Sequence, residues 1–214
     1  MIAATFLPLD DPAATLAALG KDPRLVPYGG GNFGTPLPLL GSEGAAVVPH
    51  GRVVTRSDGP VPTIDAESWA LEIGGHVDLP LTVSLAALRA MPQRTVTAVL
   101  ECAGNGRTGY DPLPEGTPWL YDAAGCAVWE GVPLAALLDR TGVREGAVDL
   151  VAQGADFPEM RRGLPLTVAR DPDVLLALRM NGEPLPASGT PTTTSSGRPK
   201  AIPCGRWRRC RCAR

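Results

Sequence analysis

"TVTAVLECAGNGR", residues 95–107, decides how this chain is read. Thr95, Val96, Thr97 and Val99 are β-branched and Leu100 is apolar, so the first half reads as a strand. The strand runs into Cys102. The text then turns polar and glycine-rich through Gly104, Asn105, Gly106 and Arg107. A cysteine at such a junction has two readings: it is a buried core residue, or its sulfur is a metal ligand or nucleophile.

The flanking text mixes element types. "DPAATLAAL" (11–19) predicts a short helix, with Asp10 or Asp11 as its cap and Gly20 at its end. "VPYGGGNFGTPLPLLG" (26–41) reads as loop. It has a faint likeness to a phosphate loop but lacks the lysine and the following helix. Strands are expected over 68–77, 94–102 and 147–154, and helices over 84–92 and 132–143, the first capped by Ser84 and the second ended by Gly142. "VLLALRMNGEPLP" (174–186) predicts a strand entering an Asn181-Gly182 hairpin turn. There is no βαβ rhythm and no internal repeat, so the fold class is α+β with a mixed sheet.

At 214 residues the chain fits one domain with a small appendage. Many prolines (23) and glycines (25) beside 5% aromatics predict a loop-rich fold. No apolar run approaches the roughly 20 residues of a membrane helix. The start lacks the pattern of a secretory signal, so a soluble, cytoplasmic protein is expected. The net charge of −2 conceals an asymmetry: residues 198–214 hold seven Arg or Lys and no acid, while residues 1–197 hold 13 basic against 22 acidic residues. The segment 187–214, "ASGTPTTTSSGRPKAIPCGRWRRCRCAR", has few aliphatic residues and no periodicity, and disorder is expected there. Three of the five cysteines lie in it. Cys204, Cys210 and Cys212 fall short of the four ligands of a zinc site, and nucleic acid is not expected as a partner of the basic residues.

His50 and His76 are the only histidines, and neither stands at ligand spacing from Cys102. A metal on Cys102 would therefore take its other ligands from a cofactor. On the residues alone, core packing and ligation both stay open.

Taken together, several stretches resemble one family. "LECAGNGR" (100–107) is similar to the cysteine motif of the sulfite oxidase family of molybdopterin-dependent oxidoreductases. "NFGTPLPLL" (32–40) resembles its Asn-x-x-x-Pro loop, and "VVTRSDGPVP" (53–62) its Arg-Asn-His-x-Pro-x-Pro stretch. "CAVWEGVPLAALLDRTGV" (126–143) and "GLPLTVARDPDVLLALRMNGEPLP" (163–186) resemble the text that follows the cysteine. The resemblance covers 32–186. It leaves 1–31 as an extension with a short helix and 187–214 as a basic tail.

The resemblance implies a mixed-sheet molybdopterin-binding domain, incomplete at its C-terminus, with a molybdenum–molybdopterin cofactor (Mo-MPT). It implies oxygen-atom transfer, or a related two-electron step, with Cys102 as metal ligand and Arg56 in the anion pocket. Asn32, Val54, Thr55, Arg56, Ser57, Asp58, Asn105, Gly106, Arg107 and Asp156 would line the cofactor. The expected partners are a small anionic or oxo-accepting substrate and an external electron donor or acceptor, with no haem domain and no membrane.

Three departures qualify this. Asp58 stands where the family motif has histidine, and Met160 where sulfite-oxidising members have tyrosine, which puts sulfite in doubt as substrate. The tail replaces a His-Gly-x-Pro-x-Arg segment that grips the pterin phosphate, and its composition fits out-of-frame translation. The alternative reading is a truncated, inactive member or a partner-binding remnant.

Overall fold

The computed structural model describes residues 5–6, 9–40, 46–57, 62–63, 65–154, 161–185, 201–203 and 207–213. Strand β1 (Thr5–Phe6) precedes helix α1 (Pro12–Ala18), strands β2 (Val26–Gly29) and β3 (Asn32–Gly34), the one-turn helix α2 (Leu37–Leu40) and β4 (Pro62–Thr63). Next come β5 (Ala70–Gly75), β6 (Leu81–Ser84), α3 (Leu85–Arg89), β7 (Arg94–Glu101), β8 (Ala124–Pro133) and α4 (Leu134–Thr141). β9 (Asp149–Gly154), β10 (Arg161–Pro165), α5 (Leu166–Ala169), β11 (Leu175–Met180), β12 (Glu183–Pro184), β13 (Ala201–Pro203) and β14 (Trp207–Ala213) follow.

Local chemistry sets the boundaries. The Asp11 carboxylate accepts from the amides of Ala13 and Ala14 and starts α1, and Ser84 does the same for α3 through Ala87. Gly142, in the left-handed region, ends α4. Asn181 (φ 53°) and Gly182 (φ 80°) are both left-handed, the conformation of a tight hairpin turn between β11 and β12.

Two mixed sheets form the body. One has the order β10-β9-β14-β5-β6, and the other β12-β11-β8-β7 with β13 on β11. β14 runs parallel to β5 and β13 parallel to β11, while the remaining ladders are antiparallel. The predicted α+β mixed-sheet class is what the chain adopts. Leu175, Leu176, Ala177 and Leu178 of β11 are buried in succession, so this strand is covered on both faces. One core joins Leu71 and Ile73 to Leu137, Leu138, Leu150 and Leu176. The other joins Val53, Val54, Leu100, Trp129, Ala177 and Met180. At Gly131 β8 and β11 leave no room for a side chain, because a Cβ there would overlap the Leu176 carbonyl.

Two expectations are corrected. Residues 26–34 are a β2–β3 hairpin rather than loop, since glycines 29, 30 and 31 supply the positive φ of its turn. The tail was expected to be disordered, yet Trp207–Ala213 pairs on both sides, with β5 and β9, and Ala201–Pro203 pairs with β11. A ladder is built from backbone groups that every non-proline residue carries, so composition did not forbid it. Cys212 adds a small buried side chain to the first core. Residues 187–200 lie outside the described residues.

Lys21 is the one buried cation among the described residues. Its ammonium donates to the carbonyls of His50 (3.2 Å) and Val53 (3.1 Å), and its own amide donates to Leu16. Burial brings its pKa down from 10.5 to about 8. Below about pH 8 the folded state therefore carries the full penalty of a buried charge. The penalty is lifted between about 8 and 10.5, where the unfolded chain still binds the proton.

Two predictions follow from this packing. Urea unfolding should show the wild type gaining stability relative to Lys21→Met as pH rises from 7.5 to 10, by on the order of 1–3 kcal/mol; no relative gain would mean the ammonium is hydrated. Gly131→Ala should lower stability by roughly 1–3 kcal/mol in the same assay, because two backbones must separate.

Candidate functional site

The β7–β8 ladder runs from Arg94 opposite Gly131 to Glu101 opposite Ala124. Cys102 lies one residue beyond it. Its N–H donates to the Ala123 carbonyl at 2.9 Å, and its own carbonyl accepts from the Asn105 N–H at 2.9 Å. Along β7 the faces alternate: Val99 is 61% exposed and Leu100 is 4% exposed. Cys102 continues the alternation on the side of Leu100 and packs, partly buried, against the second core.

The predicted loop residues behave differently from one another. Asn105 folds the loop onto itself: its Nδ2 donates to Glu101 at 2.9 Å, and its Oδ1 accepts from the Ala123 N–H at 3.0 Å. Gly106 is left-handed (φ 75°), and its N–H donates to the Leu120 carbonyl. A Cβ there would crowd the Tyr121 ring. The Arg107 guanidinium donates to the carbonyls of Glu115 and Thr117 and so braces the loop.

The segment that carries Arg56 meets the same core. Val48 donates its N–H to Cys126 on β8. Val53, Val54 and Thr55 are fully buried, Ser57 is buried, and Arg56 is half-buried. Val53 and Val54 share the second core with Leu100 and Ala123, against which Cys102 packs. The Thr55 hydroxyl is buried without a hydrogen-bond partner among the described residues. The structure thus brings Val54 and Cys102 against one core, with buried Thr55 adjoining Val54 in the chain. Asp58 and Asp156 lie outside the described residues.

The β2–β3 hairpin links these two halves. Phe33 and Thr55 exchange both backbone hydrogen bonds at 2.9 Å. Asn32 is buried; its Oδ1 accepts from the Ser57 N–H at 2.8 Å, and its Nδ2 donates to Gly29. Its amide therefore organises the Arg56 segment. On the other side, Tyr28 Oη donates to Asp122 Oδ2 at 2.8 Å and accepts from the Leu120 N–H at 3.3 Å. Burial, with the hydrogen bond to Asp122 behind it, pushes the Tyr28 hydroxyl up to about 12, so it stays a donor at physiological pH. The Tyr28 and Trp119 rings pack 4.6 Å apart at 54°. Sequence reasoning passed over Tyr28, Trp119 and Asp122. Tyr28 sat in text read as loop, and nothing in "YDAAG" marks Asp122 as buried.

Among the described residues, no helix is long and apolar enough to cross a membrane. The family described as oxidoreductase molybdopterin binding domain matches residues 58–193. Sulfite oxidase of Arabidopsis thaliana is 32% identical over 157 residues, covering 65% of this chain and 40% of that protein. Mitochondrial sulfite oxidase of Drosophila melanogaster is 35% identical over 72% of this chain and 28% of that protein. An inducible NADH nitrate reductase of Glycine max is 34% identical over 73% of this chain and 19% of that protein. The chain thus spans less than half the length of these relatives. The crystal structure of the sulfane dehydrogenase SoxCD from Paracoccus pantotrophus superposes with a TM-score of 0.63 at 26% identity, covering 85% of this chain and 42% of that chain. A mixed-sheet body, a cysteine at a strand-to-glycine-loop junction and these matches agree, and the chain belongs to the molybdopterin-binding oxidoreductase family of sulfite oxidase and nitrate reductase type.

Proposed function

We propose that this chain forms the site of a molybdenum-dependent oxidoreductase in which the Cys102 thiolate is the protein's ligand to the metal. The observation that carries the reading is that Cys102 and Val54 pack against one core, and that Thr55, next to Val54 in the chain, has a buried hydroxyl without a hydrogen-bond partner among the described residues. A buried polar atom without a partner is unfavourable by about 1–3 kcal/mol, and a cofactor's polar edge would relieve it. The residues present therefore fit the group. When bound, a molybdenum–molybdopterin cofactor supplies oxygen-atom transfer or a related two-electron redox step.

The chain's own part is to position and to hold charge. Among the described residues no three His, Cys, Asp or Glu converge on a common point, so further metal ligands would come from the pterin. Val54 to Asp58 would hold the pterin, partly through backbone groups, and Asp156 would join them. Asn105, Gly106 and Arg107 would fix the loop that presents the thiolate. Arg56 would hold an anionic substrate by a charge-assisted pair. Electrons would leave to or arrive from an external partner. The composition of 187–214 still supports out-of-frame translation, and the family's His-Gly-x-Pro-x-Arg text in another frame of the coding DNA would bear that out.

The test is the molybdenum and pterin content of the full chain from a host that makes the cofactor, beside Cys102→Ala and Arg56→Ala. Near-stoichiometric molybdenum in the wild type should fall roughly tenfold or more in Cys102→Ala. Arg56→Ala should keep the metal and lose about a hundredfold in kcat/KM on an anionic substrate such as sulfite. No molybdenum in any of the three would overturn the reading in favour of an inactive remnant.

A further inference from the structure

We propose that Tyr28 and Asp122 are positioning residues: together they form a buried strut that holds the Cys102 loop against the segment carrying Arg56. The inference deepens the proposed function, which names Cys102 and Arg56, but its geometry stands without any cofactor.

Asp122 is only 4% exposed, an unusual setting for a carboxylate. It faces no cation among the hydrogen bonds and ion pairs described above. Its Oδ2 accepts from Tyr28 Oη, its backbone carbonyl accepts from the Thr35 N–H at 2.8 Å, and its Oδ1 has no hydrogen-bond partner among the described residues. It lies directly against the backbone of Gly34, where a Cβ would overlap the carboxylate. The next residue, Ala123, accepts from the Cys102 N–H and donates to Asn105 Oδ1. One side chain thus fixes the residue that fixes the cysteine.

The other end of the strut is equally determined. Tyr28 and Gly34 belong to the β2–β3 hairpin, whose Asn32 and Phe33 bond the Ser57 N–H and the Thr55 backbone. Thr35, just past the hairpin, donates its hydroxyl to the Arg52 carbonyl. Displacing Asp122 would therefore loosen two hydrogen-bonded ends together. Burying a carboxylate with an unfilled oxygen disfavours the folded state, and general stability would be better served by an apolar side chain. A positional role accounts for its presence.

The experiment measures, on the full chain purified from a host that does not make the cofactor, so that the Cys102 thiol is free to react, the rate at which a maleimide labels Cys102, read by peptide mass spectrometry, together with global stability by urea unfolding. Tyr28→Phe, Asp122→Ala and Gly34→Ala should each raise the Cys102 labelling rate about fivefold, the factor for about 1 kcal/mol of local opening. Asp122→Asn keeps an acceptor for Tyr28 and should label nearly as the wild type does. Gly34→Ala should add nothing in the Asp122→Ala background, because the overlap is gone. Ile73→Val, in the other core, is the control and should leave Cys102 labelling unchanged despite its loss of stability. Wild-type labelling rates in Tyr28→Phe and Asp122→Ala would overturn the strut, as would an equal rise in Ile73→Val. If labelling responds as expected but the wild type from a host that makes the cofactor holds no molybdenum, the strut stands and the proposed function falls.

Discussion

The β7–β8 ladder is the constraint from which the site hangs. Its pairs run without a break from Arg94 opposite Gly131 to Glu101 opposite Ala124, so the register at the far end is fixed before the chain reaches Cys102. Side chains alternate with a period of two, and a slip of one residue would bring exposed Val99 into the core and turn Leu100 and Cys102 toward solvent. Trp129 reinforces the register: fully buried on β8, it donates its indole N–H to the Ala98 carbonyl of β7. Gly131 then lets β11 close over β8. The orientation of one sulfur is therefore a property of an entire sheet.

The second structural theme is that the site is assembled by segments with little regular structure of their own. The stretch from Val48 to Ser57 is held by β8 through Val48, by the hairpin through Thr55 and Ser57, by Lys21 through His50 and Val53, and by Asn181, whose amide donates to the Val48 carbonyl. Asp22 adds an ion pair to Arg52 at 3.1 Å, and hydrogen bonds from Arg24 hold its carboxyl well below the usual range. Each bond is individually modest. Their number is what lets a nearly irregular segment keep Thr55 buried and oriented.

What the sequence disclosed follows a physical rule. The pieces that announce themselves locally were legible: Asp11 and Ser84 as caps, Gly142 as a stop, Asn181-Gly182 as a turn, and the β-branched run into Cys102. Pieces whose structure comes from distant partners were not. Tyr28 lies among glycines that read as loop, and its partner Asp122 is far along the chain. Arg107 carries a motif position, but what it grips is a pair of backbone carbonyls, which leave no mark in the text. β14 failed the same way, because its side chains look wrong for a strand while its backbone fits the space between β5 and β9.

That placement of β14 bears on how the protein is made. Glu72 pairs with Arg209 across most of the chain, so the central strand of one sheet is supplied from its far end. During synthesis β5 and β9 must wait with open edges while the intervening residues emerge, and such edges invite aggregation. Contacts of such long range form late, after much loop-closure entropy has been lost, and folding is correspondingly slow. The sheet holding the larger core is therefore expected to close only after its sequence-distant strand has been made. The ladder that aims Cys102 is built from strands consecutive in the chain, so its pairing spans a shorter loop.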